Sequence, residues 1–277
     1  MTHERTVRRI LAGIPGWQDR SFTIGALQGG LNNCSYQVDS NGSRFVLRIA
    51  ASSKVAGGGS HALESKVQRN AAAAGLAAQV LYSDPQRGVM LLEYLSGQTL
   101  SASDLLRGDI LQQLGELLRD LHALPLSGVN FAATAAAENY LAVIGDRNAG
   151  AGFARFCREL IDGTALSAAR RCCHNDVIGS NLVLGQRLQL IDFEYACDND
   201  PLFDLASVLC WHDLAKPQHV ALLQAYAGQV TASDQEALQI QCRLYDALLW
   251  LWLAAREQQR AEPWLAEKMQ AAQRRLA

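Results

Sequence analysis

The chain has 277 residues, of which 49% are apolar and 19% charged, and its net charge at neutral pH is −2. This composition is typical of a globular protein and excludes extensive disorder. The length allows one large domain or two lobes. A nearly neutral chain has no global positive field to attract nucleic acid or an anionic membrane surface, so we expect neither partner.

The longest apolar run in the C-terminal part, residues 247–255, is too short to span a bilayer. The first residues lack the apolar segment of a signal peptide. We therefore expect a cytoplasmic protein without membrane insertion, either a monomer or a homodimer. Seven cysteines at irregular spacing favour reduced, buried thiols. A metal site at Cys172-Cys173-His174 is the alternative, but no Cys-x-x-Cys pair completes it.

The N-terminal part predicts one helix followed by two hairpins. Apolar residues at helical spacing within 1–20 precede Pro15-Gly16, which ends the helix. Two apolar segments then flank Gly29-Gly30-Leu31-Asn32-Asn33. This turn is either a plain hairpin turn, which the segment alone favours, or a lid that approaches phosphates through its backbone. Asn41-Gly42 is the second hairpin signal.

The strand Phe45–Ile49 has two unlike faces. Phe45, Leu47 and Ile49 share one face, whereas Val46 and Arg48 share the other. Arg48 therefore points either to solvent or, if the sheet covers a nucleotide, to its phosphates.

A helix over residues 60–74, which carries Glu64, and strands near 80–82 and 88–95 complete a small lobe. Ser96-Gly97 then indicates a linker. We predict an α+β, two-lobed protein with domains 1–94 and 95–277, the second larger and mainly helical.

The second part begins with an apolar stripe from Ile110 to Leu121, and His122 at its end is expected to cap the helix or to form a buried hydrogen bond. Weaker signals predict one or two helices within 126–168. A hairpin over 182–191 can return the chain so that Asp192 lies near Asp176 and Asn181, and it is followed by helices at 202–214 and 220–226. Ser233 and Glu236 match a capping box that opens a long final helix.

The central motif is His174-Asn175-Asp176, with Asn181 downstream and Asp192 and Glu194 after the hairpin. An aspartate that accepts an alcohol proton, and an asparagine and a second aspartate that hold magnesium, are the parts that phosphoryl transfer needs. An unperturbed aspartate has a pKa of roughly 4, so Asp176 is expected to be ionised unless it is deeply buried. A solvated turn is the alternative for Asp192 and Glu194.

These residues resemble the choline/ethanolamine kinase family within the aminoglycoside phosphotransferase and protein-kinase-like superfamily, with the bacterial choline kinase and thiamine kinase branches nearest. The resemblance covers about residues 25–260 and implies a two-lobed protein-kinase-like fold. It is carried by the central motif and by Asn199-Asp200-Pro201-Leu202-Phe203-Asp204-Leu205-Ala206, the Gly29–Asn33 turn, the strand Phe45–Ile49, the segment Glu93–Gly97 and the helix around Trp250 and Trp252.

The resemblance also implies roles for individual residues. Asp176 matches the catalytic aspartate, and Asn181 and Asp192 match the magnesium ligands. Arg48 would contact the phosphates of ATP and pair with Glu64. The remaining nucleotide contacts would come from Gly29, Gly30, Asn32, Asn33, Glu93 and Leu95.

An aromatic wall is the expected site for a cationic acceptor, because aromatic faces attract quaternary ammonium groups. Tyr195, Trp211, Trp250 and Trp252 are the candidates, with Glu194 or Asp213 adding opposite charge. Trp250 and Trp252 are two residues apart and cannot share a helix face, so at most one should line a pocket. Plain core residues are the alternative for each tryptophan.

Two departures from the family affect the acceptor. Choline kinases commonly have a glutamate where this chain has Trp211, and often a glutamine where it has Ile178. We therefore expect an ATP- and Mg²⁺-dependent kinase of a small cationic alcohol, choline or ethanolamine first. Thiamine, then an aminoglycoside or sugar-like acceptor, are the alternatives. An ATP-binding pseudokinase with a regulatory role is the alternative that is not an enzyme.

Overall fold

The computed structural model describes residues 2–27, 33–50, 60–145, 150–164 and 169–277. It has the predicted α+β architecture, in which a lobe built on one antiparallel sheet precedes a larger, mainly helical lobe. No helix within these described ranges is both long enough and apolar enough to cross a membrane.

The small lobe contains the three strands, helix and two strands that the sequence predicts, after a leading helix. Its five strands are antiparallel in the order β1-β2-β3-β5-β4. The elements are α1 (Thr2–Ala12), β1 (Thr23–Leu27), β2 (Asn33–Ser40), β3 (Ser43–Ala50), α2 (His61–Ala73), β4 (Val80–Asp84) and β5 (Val89–Glu93).

The two faces of β3 separate as predicted. Leu47 is fully buried, and the face that it shares with Phe45 and Ile49 packs against α1. Val46 packs on the opposite side of the sheet. The hairpin before β3 turns at Asn41 and Gly42, whose φ angles of 51° and 75° are those of the two-residue turn that an Asn-Gly pair favours.

The larger lobe is built from short strands and long helices. They are β6 (Gln98–Thr99), α3 (Gly108–His122), α4 (Ala133–Ile144), α5 (Ala151–Gly163), β7 (Arg171–Cys173), β8 (Leu182–Leu184), β9 (Leu188–Leu190), β10 (Cys197–Asn199), α6 (Leu202–Trp211), α7 (Lys216–Ala227), α8 (Ala232–Gln259) and α9 (Pro263–Leu276). The helix α9 has no counterpart among the sequence predictions.

The predicted capping box at Ser233 and Glu236 is wrong by two residues. The hydroxyl of Thr231 accepts from the N–H of Asp234 (3.2 Å), and the Asp234 carboxylate accepts from the N–H of Thr231 (2.8 Å). Asp234 replaces the expected glutamate because a shorter carboxylate also reaches back to the N-cap N–H. Ser233 therefore lies inside the first turn of α8.

One apolar core joins the two lobes. Leu63 and Val67 of α2 belong to the same buried cluster as the helices of the larger lobe. The turn after α2 also reaches the larger lobe through the main chain, because the N–H of Leu190 donates to the carbonyl oxygen of Leu76 (2.8 Å). Ala77 forms a parallel bridge with Leu190. The predicted boundary at residue 94 thus lies downstream of an element that packs with both lobes.

The buried carboxylate of Asp204, in α6, fixes the start of the central loop. It accepts from the N–H of His174 (2.8 Å), the N–H of Asn175 (2.6 Å) and the ring of His122 (3.0 Å). His122 is therefore a buried hydrogen-bonding residue, as the sequence predicts. Buried carboxylates are tolerated only when such donors replace the lost water.

The packing of α3 on α7 makes a testable prediction. A Cβ atom at Gly115 would lie 2.6 Å from the Cβ of Ala225 and 2.7 Å from its carbonyl carbon. Gly115→Ala is therefore expected to lower the free energy of unfolding by about 1–3 kcal/mol, measured by urea denaturation, because overpacking outweighs the helix propensity of alanine.

Gly108→Ala is the matched control, since no atom lies within 4 Å of a Cβ at that position in the same helix. It is expected to leave stability unchanged or raise it. Equal effects of the two substitutions would contradict the close approach of α3 and α7.

Candidate active site

The loop after β7 is shaped by Asn175, which has a left-handed backbone with φ of 63°. Asparagine tolerates this conformation better than most residues. Its side-chain amide donates to the carbonyl oxygen of Tyr195 (3.0 Å), and Asn199 donates to its side-chain oxygen (2.8 Å). These contacts attach the loop to the segment that follows Asp192 and direct the chain toward Asp176.

Asp176 and Asn181 are in direct contact. The Asn181 amide donates to the Asp176 Oδ2 (2.9 Å) and to the Asp176 carbonyl oxygen (3.0 Å). Asn181 is the last residue of a short 3₁₀ turn, Gly179–Asn181, that follows Asp176. The following hairpin returns the chain so that the N–H of Ile191 donates to the Asn181 carbonyl oxygen (3.0 Å). The sequence prediction that this hairpin brings Asp192 to Asp176 and Asn181 is thus confirmed.

Arg48 reaches the same place from the small lobe. One side of its guanidinium contacts the Glu64 carboxylate, and the other contacts the Asp192 Oδ1. The Glu194 Oε2 lies 3.5 Å from the Arg48 Nη2 and accepts from the Asn33 amide (2.7 Å). Because the Arg48 and Glu64 side chains are only 8% and 4% exposed, this is a buried ion pair and not the solvent-facing arginine of the alternative interpretation.

The site concentrates negative charge. Arg48 contacts the carboxylates of Glu64, Asp192 and Glu194, and the Asp176 carboxyl adds a fourth acidic group nearby. Burial, together with the negative charges of Asp192 and Glu194, raises the pKa of Asp176 to about 8. A bound cation would oppose this shift. Carboxylate and amide oxygens are the ligands that Mg²⁺ prefers, so the donor set of Asn181 and Asp192 fits that ion.

A cavity opens beside Asp176, and seven of the seventeen residues that line it are aromatic. Glu194, Tyr195, Trp211 and Trp252 line it, as predicted. Tyr140 and Tyr245, both more than nine-tenths buried, line it as well. No sequence motif marks these two tyrosines, since each lies among apolar residues of a helix. The other lining residues are Phe131, Ala136, Asn175, Asp176, Ile178, Ser180, Asn181, Asp192, Phe203, Leu248 and Leu249.

The tryptophans divide between cavity and core. Trp211 and Trp252 pack at 6.5 Å between ring centroids, and Trp264 of α9 completes the group. Trp250 is 3% exposed, packs on Phe153 at 4.9 Å and is not among the residues that line the cavity. The structure therefore places Trp250 in the core, the alternative interpretation, and only one of the two α8 tryptophans lines the cavity.

The predicted nucleotide contacts are described in part. Gly29, Gly30 and Asn32 lie outside the described residues. Leu95 packs in a small apolar cluster with Val46 and Met90, and the N–H of Glu93 is bound by the carbonyl oxygen of Gln79 (3.0 Å). Contact of Glu93 and Leu95 with adenine remains a prediction.

Comparisons with known proteins find similar proteins over most of the chain. Protein LicA of Haemophilus influenzae is 29% identical over 253 residues, which cover 83% of this chain and 72% of LicA. A choline/ethanolamine kinase family protein from Mesorhizobium loti is 25% identical with a TM-score of 0.73, covering 98% of this chain and 99% of that one.

The choline kinase LicA from Streptococcus pneumoniae has the same fold, with a TM-score of 0.82 at 20% identity over 100% of this chain and 99% of that one. The model of the phosphotransferase enzyme family matches residues 23–240. The chain therefore belongs to the phosphotransferase enzyme family and is a small-molecule kinase.

Proposed function

We propose that the protein transfers the terminal phosphoryl group of ATP, with Mg²⁺, to the hydroxyl of a small cationic alcohol, choline or ethanolamine first. The observation that carries this proposal is the position of Asp176. It lines the same cavity as the aromatic residues and as Asp192 and Glu194, the two carboxylates that contact Arg48. The names of the similar proteins, choline kinase and choline/ethanolamine kinase family protein, support the same acceptor class.

The nucleotide end of the site is assigned to Arg48, Asn181 and Asp192. When bound, Mg²⁺ supplies positive charge that shields the phosphate oxygens during transfer, and Asn181 and Asp192 would hold it. Arg48 presents a forked guanidinium suited to phosphate oxygens, and Glu64 fixes its orientation.

Asp176 orients the acceptor hydroxyl and accepts its proton. The Asn181 amide holds Oδ2 and thereby fixes the rotation of the carboxyl group. Positive charge bound by Asp192 would lower the pKa of Asp176 from its raised value, so the base would be ionised when the nucleotide and metal are in place.

The acceptor end is assigned to Tyr195, Trp211 and Trp252, with Glu194 adding negative charge. Thiamine and aminoglycoside or sugar-like alcohols remain alternatives because Trp211 and Ile178 occupy positions where choline kinases commonly have polar residues. The pseudokinase alternative is disfavoured, since Asp176, Asn181 and Asp192 are all present and line the same cavity.

The first test is an ADP-release assay with ATP and Mg²⁺ across choline, ethanolamine, thiamine and aminoglycosides. We expect strongest turnover with choline or ethanolamine. Asp176→Asn is expected to lower kcat by about 10²- to 10⁴-fold, the usual contribution of a positioned base, without weakening ATP binding.

Asp162→Asn is the matched control, because the side-chain contacts of Asp162 with described residues, Arg158 and Thr134, lie at the surface. It should leave kcat unchanged. Near-normal turnover of Asp176→Asn would contradict the assignment of Asp176 as the base. ADP release stimulated only by an aminoglycoside would show that the acceptor is not a small cationic alcohol such as choline.

A second prediction concerns cation recognition. Trp252→Leu is expected to raise the KM for choline by about 2- to 30-fold, equivalent to about 0.5–2 kcal/mol of lost cation–π attraction. The KM for the neutral analogue, in which carbon replaces the quaternary nitrogen, should change less, and the KM for ATP should not change. Equal rises for the charged and neutral acceptors would assign Trp252 a packing role only.

A third prediction follows from the raised pKa of Asp176. A carboxyl with a folded-state pKa of about 8 and an ordinary unfolded value stabilises the fold at low pH and loses that contribution as the pH rises toward 8. Asp176→Asn, which cannot ionise, should therefore raise the Tm of the metal-free protein more at alkaline than at acidic pH. Thermal denaturation at both pH values, without and with Mg²⁺, measures this; a pH-independent difference would contradict it.

A further inference from the structure

The main chain at Gly179 is held on both sides. Its N–H donates to the Nε2 of His212 (2.9 Å), and its carbonyl oxygen accepts from the N–H of Leu100 (3.1 Å). A Cβ at this position would lie 2.4 Å from the Leu100 carbonyl oxygen and 3.2 Å from the His212 Nε2. Only glycine therefore lets the loop pass between these two groups.

The peptide group between Ile178 and Gly179 sets the position of Asn181. Gly179 and Asn181 belong to the same 3₁₀ turn, and the N–H of Asn181 donates to the Ile178 carbonyl oxygen (2.8 Å). The Asn181 amide in turn binds the Asp176 carboxylate. A rotation of the Gly179 peptide would therefore move the amide that orients Asp176.

His212 can accept the Gly179 N–H only through an unprotonated Nε2. Burial and the charge of Lys268 lower the pKa of His212 to about 4, which keeps the ring neutral. The Lys268 ammonium lies 4.8 Å from the centre of the Trp211 ring and donates to the Trp211 carbonyl oxygen. Asp213, next to His212, is paired with Arg275 (2.6 Å).

We propose that His212 is a positioning residue, whose neutral ring, protonated on Nδ1, holds the Gly179 peptide and thereby orients Asn181 and Asp176 for phosphoryl transfer. The preceding residue, Trp211, lines the acceptor cavity. At the C-terminal end of α6, Trp211 thus lines the acceptor cavity, and the next residue, His212, holds the 3₁₀ turn that contains Gly179 and Asn181. The catalytic part of this proposal rests on the proposed function.

Three variants test the role in catalysis. His212→Leu removes the acceptor atom and is expected to lower kcat by about 10- to 100-fold, as small misplacements of catalytic groups do, with little change in the KM for ATP. His212→Gln supplies a carbonyl oxygen that can accept the same N–H and should recover most of kcat. His219→Gln is the control. His219 lies in α7 and contacts the carbonyl oxygen of Leu214, so this variant should have the same kcat as the unmodified protein.

A kcat of His212→Leu equal to that of the unmodified protein would overturn the proposal, and so would a His212→Gln variant no better than His212→Leu. Circular dichroism and Tm of each variant separate these results from unfolding.

Nitrogen NMR of the histidine rings tests the contact without any substrate. At about pH 7 the unmodified protein should show a neutral His212 with its proton on Nδ1, assigned by the loss of that signal in His212→Gln. A charged ring, or a proton on Nε2, would overturn the proposal. If no alcohol stimulates ATP turnover, the proposed function fails, and this measurement still decides whether His212 holds Gly179.

Discussion

The carboxylate of Asp204 is the interaction on which the site depends. It is completely buried and accepts hydrogen bonds from the main-chain N–H groups of His174 and Asn175, with the ring of His122 as a third donor. Removing one partner of such a buried charge costs far more than losing an ordinary hydrogen bond, because the remaining groups are left without water. A helix of the larger lobe, α6, thus fixes the loop that carries Asp176, while Asp176 itself lines the cavity.

The sequence predicts the elements well because their signals are local. Alternating apolar residues and an Asn-Gly turn define β3 and its hairpin, and the short hairpin after Asn181 predicts the return of Asp192 to the central loop. The pairing of Arg48 with Glu64 came from the family resemblance, since no local pattern brings a strand arginine to a residue on the next helix.

What the sequence missed depends on contacts between distant segments. Asp204 reads as an acidic residue in the first turn of an apolar helix, and only the fold reveals that its carboxylate serves a loop 29 or 30 positions away along the chain. Tyr140 and Tyr245 resemble core residues for the same reason. The register of the α8 cap was missed because Thr231 and Ser233 both suit an N-cap, and local sequence does not choose between them.

Arg48 also belongs to a closed ring of contacts that links the two lobes. It is held between Glu64, on α2, and Asp192, which follows β9, and those two elements are themselves joined where Leu190 bonds to Leu76. Backbone, ion pairs and main-chain hydrogen bonds therefore form a closed ring around the guanidinium. The ring crosses between the lobes twice, once at the Arg48–Asp192 ion pair and once at the Leu76–Leu190 hydrogen bond. A rotation of one lobe about either crossing would therefore strain the other, so the ring opposes hinge motion at the position where Arg48 meets Asp192.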